Sequence, residues 1–251
     1  MEAIQNHRQF LKNDDWHHWD SLSSDQELGL PPPPMQQSYD SDAALIDLIA
    51  PEMLSLGAMP LIEAMARRRT YRSFSAEPLT LDEISFLLWA TQGVQRVSAD
   101  GTSSLRTVPS AGARHPFESY LLVKNVEGLP PGTYRYLAHG HKLCFLRPFN
   151  KLVMADDWPL YPDDALLLMW TAVPYRTEWR YGILAHKMIA MEAGHICQNL
   201  YLAAASIGAG ACAIGSFDQA DFDALLAVDG SEEFTIYAAR VGKITGDEEI
   251  Y

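Results

Sequence analysis

The sequence predicts a mixed α+β fold. Two observations carry this prediction: the predicted strands cluster in the middle of the chain, and one long helix separates them from a final strand. A regular alternation of strands and helices would instead indicate a parallel sheet. The 251 residues, of which 48% are hydrophobic, are enough for one sizeable domain with an additional segment.

The first part of the chain differs from the rest. Residues 1–55 are polar and aromatic, and they include four consecutive prolines at 31–34, which favour extended backbone. We expect this segment to be an N-terminal arm with a proline-rich linker that packs on a main domain, residues 56–251. The run Trp-His-His-Trp at 16–19 has no further ligands in register, so it does not predict a metal site.

The main domain begins with two predicted helices. Residues 61–69 have helical character, and Thr80 and Glu83 form a capping box for a second helix that Gly93 can end. Apolar runs bounded by turn residues then predict strands. The predicted strands are residues 120–123, 133–137, 142–146, 165–172 and 234–241, with a hairpin turn at His139-Gly140.

The longest predicted helix spans residues 183–207. Apolar residues recur along it at steps of three and four, and its opposite side is also largely apolar. A helix that is apolar nearly all round is buried on all sides, so we expect this one to lie in the core of a dimer. His195 within it is expected to be a buried core histidine rather than a catalytic acid.

Charge and composition exclude several classes of function. The net charge of −13 at pH 7 disfavours nucleic-acid binding and attachment to anionic membranes. The most apolar stretch, residues 196–215, is broken by polar residues and glycines, so no transmembrane helix is predicted. Three scattered cysteines and scattered histidines indicate neither a disulfide framework nor a metal site, and we predict a cytoplasmic protein.

Four arginines lie within the six residues 67–72 of this acidic chain. Guanidinium groups form bidentate hydrogen bonds with phosphate, and Thr70 adds a hydroxyl, so the segment is a candidate anion site. The alternative is that the arginines follow a helix C-terminus, where the helix dipole favours them and they face water.

Two further segments are rich in small residues. In residues 106–116, Ser110, Ala111 and Gly112 would let a planar ring approach the backbone, although an ordinary tight loop has the same composition. Residues 208–217 are expected to form a glycine-rich loop that follows the long helix instead of preceding one. It is therefore not the dinucleotide-binding fingerprint, and a simple helix C-cap also accounts for Gly208.

These three segments, in this order, resemble the nitroreductase family of flavoproteins. The resemblance covers residues 56–242 and is strongest to the branch of azoline-oxidising dehydrogenases of thiazole/oxazole peptide biosynthesis, the SagB type. It implies a nitroreductase-like α+β sandwich with a mostly antiparallel sheet flanked by helices. It also implies an intertwined homodimer around the long central helix, with FMN at the interface.

The resemblance assigns roles to particular residues. Arg68 and Arg72 would hold the FMN phosphate, and Tyr181 and Gly215 would serve the reaction. Arg180-Tyr181 stands where the branch often has Lys-Tyr, and arginine cannot act as a base near neutral pH. The implied cofactor contacts are Arg68, Arg69, Thr70 and Arg72; Pro109, Ser110, Ala111, Gly112 and Ala113 from the partner subunit; and Ala213, Ile214, Gly215, Ser216 and Lys243.

The implied activity is the transfer of hydride from NADH or NADPH to a small conjugated acceptor, nitroaromatic or quinone-like, by a ping-pong mechanism. The alternative is a SagB-like dehydrogenase that uses oxygen and acts on azoline-type, peptide or other small donors. A non-catalytic flavin- or anion-binding protein is the third possibility.

Overall fold

The computed structural model describes residues 2–12, 14–148 and 164–245. Its centre is a seven-stranded sheet in which every neighbouring pair of strands is antiparallel. In chain order the strands are β1 (Leu45–Asp47), β2 (Val94–Val97), β3 (Ser104–Arg106), β4 (Phe117–Val123), β5 (Gly132–Leu137), β6 (Lys142–Pro148), β7 (Leu166–Ala172), β8 (Ala209–Ile214) and β9 (Phe234–Lys243). Across the sheet the order is β1-β6-β5-β4-β7-β9-β8, and β2 pairs with β3 in a separate ribbon.

Helices cover both faces of the sheet. They are α1 (Glu2–Gln9), α2 (Leu61–Arg67), α3 (Leu81–Gln92), α4 (Tyr175–Tyr181), α5 (Ala185–Ser206) and α6 (Gln219–Leu226). Leu121 and Leu168, which are register partners on β4 and β7, pack in the core cluster that contains α3 and α5. Their neighbours Leu122 and Leu167 point to the other face and pack against α6. This two-sided cover explains why all residues of β4 and β7 are buried.

The helix α3 begins as its sequence predicts. The Glu83 N–H donates to the Thr80 hydroxyl at 3.2 Å, and the Thr80 N–H donates to the Glu83 carboxylate at 2.9 Å. The capping box is therefore formed, and the helix ends at Gln92 with Gly93 as its C-cap.

The helix α5 has one buried face and one exposed face in the single chain. Ile189, Ile196 and Leu200 are buried against the sheet and α3. On the other side Met191 is 53% exposed, and Gly194 has no atom within 4 Å of where a Cβ would stand. In the single chain this helix is therefore not buried on all sides, and His195 is exposed. Its burial in the core of a dimer stays a prediction.

The N-terminal segment packs on the sheet and on α4. Strand β1 extends the sheet beside β6, and Leu48 enters the core. The extended residues around the prolines are tied down by side chains of the main domain, because Arg176 Nε donates to the Pro34 carbonyl at 2.9 Å and Trp179 Nε1 donates to the Leu30 carbonyl at 3.0 Å. The polyproline backbone offers these carbonyls because it forms no internal hydrogen bonds.

The α+β fold and the mostly antiparallel sheet are confirmed, and the five predicted strands and three predicted helices are all present. The predicted hairpin turn joins β5 to β6. The glycine-rich segment after α5 was expected to be a loop, but most of it is the edge strand β8. Its alternating small residues leave little side-chain periodicity from which a strand could have been predicted.

Candidate functional site

The arginine-rich segment leaves the end of α2 and runs beside the edge of the sheet. Thr70 forms an isolated parallel bridge with Ala211 of β8, and the Tyr71 N–H donates to the Ala211 carbonyl at 3.0 Å. Arg240 of β9 holds the next turn, because its guanidinium donates to the Arg72 carbonyl at 2.7 Å. The segment is therefore fixed to the sheet by hydrogen bonds of its backbone.

The four arginines of this segment have different surroundings. Arg67 pairs with Glu63 at 2.5 Å, one turn earlier on α2. Arg69 donates to the carbonyls of Ala66 and Arg68, at 3.0 and 2.8 Å, so it serves the helix C-terminus as the dipole argument expects. Arg68 lies half-buried with its guanidinium 5.7 Å from the centre of the Tyr201 ring, and Arg72 is exposed.

Tyr201 joins the arginine segment to the end of β8. Its hydroxyl lies 3.2 Å from the Thr70 hydroxyl, and it accepts the Ala213 N–H at 2.9 Å. This α5 residue was missed by the sequence analysis. The only signal for it is a phenol within an otherwise apolar helical run, which is weak because a tyrosine there also suits core packing.

The glycines of this region make room for the arginine segment. Gly210 and Gly242 are register partners on β8 and β9. A Cβ on Gly210 would stand 2.8 Å from the Tyr71 ring, and one on Gly242 would stand 2.8 Å from Phe74. Gly215, beyond the end of β8, is exposed, and a Cβ there would stand 4.0 Å from the Tyr237 ring. Open space for a ligand therefore lies at Gly215 and the exposed Ser216, after the strand.

The second predicted segment, Pro109 to Ala113, forms a tight turn before β4. Gly112 and Ala113 both have positive φ angles, 57° and 55°. The His115 N–H donates to the Ser110 hydroxyl at 2.8 Å, and the Ala113 N–H donates to the Ser110 carbonyl at 3.0 Å. Gly112 adopts this left-handed conformation readily because it has no Cβ, whereas Ala113 is held in it by the turn.

Glu192 of α5 stabilises this turn by accepting hydrogen bonds from it. It is 5% exposed, and its carboxylate accepts the Ala111 N–H at 2.7 Å and a hydrogen bond from the Ser110 side chain. Burial raises the pKa of Glu192, and the two hydrogen bonds oppose that change. Sequence analysis missed this residue too, since a lone glutamate in a helix is usually a solvated surface residue.

Tyr181 and Arg180 lie on the outer side of the same turn. A Cβ on Gly112 would stand 2.9 Å from the Tyr181 hydroxyl and 2.7 Å from Arg180 Cδ, so both side chains rest on this glycine. The Arg180 guanidinium lies 5.5 Å from the centre of the Tyr181 ring. The hydroxyl of Tyr181 thus lies at the turn and can exchange hydrogen bonds with a ligand there.

Lys243 stands apart from the other predicted cofactor contacts. Its ammonium is hydrogen-bonded to the Glu83 carboxylate, and its side chain is 15% exposed. This ion pair engages Lys243 within the chain, away from Arg68 and Thr70.

The single chain gathers the predicted residues into two groups. Arg68, Thr70 and Ala213 meet at Tyr201, whereas Ser110 to Ala113 meet Glu192 and Tyr181. Tyr201 and Glu192 are nine residues apart on α5, about 13 Å along the helix axis. Within one copy the two groups are therefore separated along α5.

The described ranges 2–12, 14–148 and 164–245 contain neither a candidate metal centre nor a candidate membrane span. Among these residues, no cluster of three or more His, Cys, Asp or Glu side chains is suited to a metal ion. No helix in the same ranges is both long and apolar enough to span a membrane.

Comparison with known proteins agrees with this architecture. Residues 65–243 match the model of the nitroreductase family. A predicted nitroreductase of Methanocaldococcus jannaschii is 29% identical over 201 residues, which are 78% of this chain and 98% of that protein. The crystal structure of a predicted nitroreductase from Ralstonia eutropha superposes with a TM-score of 0.66 at 27% identity, covering 87% of this chain and all of that one.

One relative has a more specific name. The trifolitoxin-processing protein of Rhizobium leguminosarum is 29% identical over 146 residues, which are 52% of this chain and 38% of that protein.

Proposed function

Because this chain belongs to the nitroreductase family, we propose that it is an FMN-dependent oxidoreductase. It carries reducing equivalents from NADH or NADPH to a small conjugated acceptor, nitroaromatic or quinone-like, in alternating half-reactions. The observation that carries the proposal is the junction at Tyr201, where the arginine segment meets the open end of β8.

The side chains at this junction suit a phosphate monoester. Arg67 pairs with Glu63, and Arg69 donates to backbone carbonyls at the end of α2. The phosphate contacts are therefore assigned to Arg68 and Arg72, with Thr70 as an additional donor. Guanidinium groups match phosphate oxygens bidentately and remain protonated at any physiological pH. The flavin ring is assigned to the backbone of residues 213–216, where Gly215 leaves space beyond the strand.

A homodimer would complete the site. On α2, Leu61, Ile62 and Met65 are 61%, 80% and 56% exposed, and Met191 and Gly194 are exposed on α5. Exposed apolar side chains in this number are typical of a protein–protein interface. In such a dimer the turn at Ser110 of one copy would contribute to the site at Tyr201 of the other, as the family resemblance implies.

When bound, FMN supplies the hydride-transfer chemistry. The contribution of the chain is placement: Arg68 and Arg72 anchor the phosphate, and Glu192 keeps the turn at Ser110 in one conformation. Arg180 contributes a positive charge, since arginine cannot act as a base near neutral pH, and the Tyr181 hydroxyl donates or accepts a hydrogen bond at the turn.

The assignment of the phosphate contacts is tested by the double substitution Arg68→Ala and Arg72→Ala. Each charge-assisted hydrogen bond is worth about 1.5–3 kcal/mol, so FMN affinity should fall by about 10²–10⁴-fold. The matched control is Arg67→Ala with Arg96→Ala, which removes the same charge from exposed positions. Equilibrium dialysis with FMN measures both variants, and unchanged flavin occupancy in the first variant refutes the assignment.

The similarity to the trifolitoxin-processing protein favours a second candidate function, a SagB-like dehydrogenase that oxidises azoline-type or other donors at the expense of oxygen. The absorption spectrum of the FMN-loaded protein separates the two. Anaerobic bleaching by NADH or NADPH supports the reductase, and bleaching only by an azoline-containing peptide supports the dehydrogenase. A flavin that neither compound reduces contradicts both.

A further inference from the structure

A row of three aromatic rings leads from the N-terminal segment to the turn at Gly112. Trp16 and Trp19 are stacked, with ring centres 5.6 Å apart and planes inclined by 27°. Trp19 lies 5.8 Å from the ring of Tyr181, whose hydroxyl rests on Gly112. We call Trp16, Trp19 and Tyr181 the aromatic row.

The two indoles of the row remain in contact with solvent. Trp16 is 41% and Trp19 is 37% exposed, whereas Trp170 and Trp179 of the main domain are 0% and 7% exposed. Stacking on each other therefore leaves a broad apolar surface open. Tryptophan combines a large apolar surface with a hydrogen-bonding N–H, and exposed aromatic surface of this size is more common at binding sites than on the rest of a protein surface.

The segment that carries the indoles is anchored on both sides. Before them, the Leu11 carbonyl accepts a hydrogen bond from Lys187 of α5. After them, the Gln26 N–H donates to the Trp179 carbonyl at 2.9 Å, and the Tyr175 hydroxyl donates to Asp25 at 2.8 Å. The position of the indoles relative to α4 and α5 is therefore set by contacts that do not involve the rings.

The inner end of the row is positively charged. Arg180 lies beside Tyr181 and against Gly112, and Arg114 lies 5.1 Å from the ring of Trp179 on the same helix α4. Electron-rich indole faces attract electron-poor rings, and a guanidinium attracts oxygen substituents with partial or full negative charge. The combination matches a flat, electron-poor aromatic ring that bears nitro, carbonyl or carboxylate oxygens.

We propose that Trp16 and Trp19 form the outer platform of the acceptor subsite. An electron-poor aromatic acceptor stacks on the exposed indole faces, with its oxygen substituents towards Arg180. The proposal rests on the proposed function, because it is that function which makes the turn at Gly112 part of a flavin site. The proposal assigns recognition of the acceptor ring to Trp16 and Trp19. Both lie in the N-terminal segment, outside residues 65–243, which match the family model.

The two half-reactions test the platform in the FMN-loaded protein. In the variant Trp16→Ala with Trp19→Ala, anaerobic bleaching by NADH or NADPH should proceed at the wild-type rate. The KM for nitrofurantoin or menadione in the second half-reaction should rise at least about tenfold, the ratio that corresponds to 1.4 kcal/mol of lost stacking. The double phenylalanine variant should recover most of the affinity, because its rings still stack.

The control substitution is Tyr39→Ala, which removes an exposed aromatic ring from the same N-terminal segment at a distance from the row. It should leave both half-reactions unchanged. An unchanged acceptor KM in the double alanine variant overturns the proposal. So does an equal loss of the nicotinamide half-reaction, and so does dissociation to a monomer in sedimentation, which would make the indoles a subunit contact.

A direct binding measurement separates this proposal from the proposed function. Without any reductant, 4-nitrobenzoate should quench the tryptophan fluorescence of the wild-type protein saturably and that of the double alanine variant only in proportion to its concentration. A protein that takes up no FMN but shows this saturable quenching contradicts the proposed function and keeps the platform. A flavin-loaded protein without saturable quenching overturns the platform alone.

Discussion

Replacing Glu192 by methionine is expected to loosen the turn at Ser110 and to weaken flavin binding. Glu192 is 5% exposed and accepts the Ala111 N–H at 2.7 Å. Methionine has a similar length and fills the same space, but its thioether is only a weak acceptor. The Ala111 N–H is then buried without a good partner, at a cost of about 1–3 kcal/mol in the free energy of unfolding.

The substitution Glu192→Gln is the matched control. Glutamine keeps an acceptor oxygen for the Ala111 N–H and cannot ionise. Burial raises the pKa of Glu192 in the folded state, so stability from this group is present below its unfolded pKa and is lost as pH rises through the folded pKa. At pH 7 the glutamine variant avoids that loss, and we expect its stability to be within about 1 kcal/mol of the wild type.

Urea unfolding followed by circular dichroism measures the difference between these two variants. Fluorescence titration then measures the affinity of each variant for FMN. If ordering the loosened turn costs about 1.4 kcal/mol, the affinity for FMN falls tenfold. Equal urea midpoints and equal FMN affinities for the methionine and glutamine variants would refute this role of Glu192.

Three further predictions concern stability. Burial, reinforced by the charge of Arg106, lowers the pKa of His115 to about 3. The contribution of His115 to the free energy of unfolding is therefore full above its unfolded pKa of 6.5 and is lost as pH falls from 6.5 towards 3. Urea unfolding of His115→Asn should depend less on pH in this range than that of the wild type, and an identical dependence would count against the assignment. Glu118→Ala should lower the free energy of unfolding by about 3–5 kcal/mol, because it removes the carboxylate that lies 2.5 Å from the 2%-exposed Arg176. A fall in unfolding temperature of only one or two degrees would contradict this. Gly242→Ala should cost about 1–3 kcal/mol in urea unfolding, since its Cβ would meet Phe74 at 2.8 Å, and a fully stable variant would show that the ring can move aside.

Local features of the sequence were sufficient for most of the secondary structure. The capping box at Thr80 and Glu83 forms because its hydrogen bonds join residues three positions apart. The strands β4 and β7 are nearly continuous apolar runs because both faces of the sheet are covered. The short strand β1 and the edge strand β8 were missed because their pairing depends on partners far away in the chain, Lys142 to Cys144 for β1 and β9 for β8.

Only those parts of the candidate site that form motifs along the chain could be predicted from the sequence. The arginine segment and the turn at Ser110 are visible in the sequence because they concentrate unusual residue types. Tyr201 and Glu192 are not, since nothing in the sequence distinguishes either of them from the other polar residues of the long helix, such as His195, Gln198 and Asn199. Their importance depends on which residues lie beside α5 in the folded chain. Thr70 and Ala213 lie beside Tyr201, and Ala111 lies beside Glu192.

The sequence by itself determined the α+β class, the positions of the long helix and of the central strands, and the residue types able to hold a phosphate and a flat ring. These follow from interactions between residues close together in the chain. Only the tertiary structure decided which arginines are engaged within α2, that the glycines of β8 and β9 accommodate Tyr71 and Phe74, and that Trp19 lies on Tyr181. Such contacts join residues separated by many positions, and their geometry is set by how the whole chain packs.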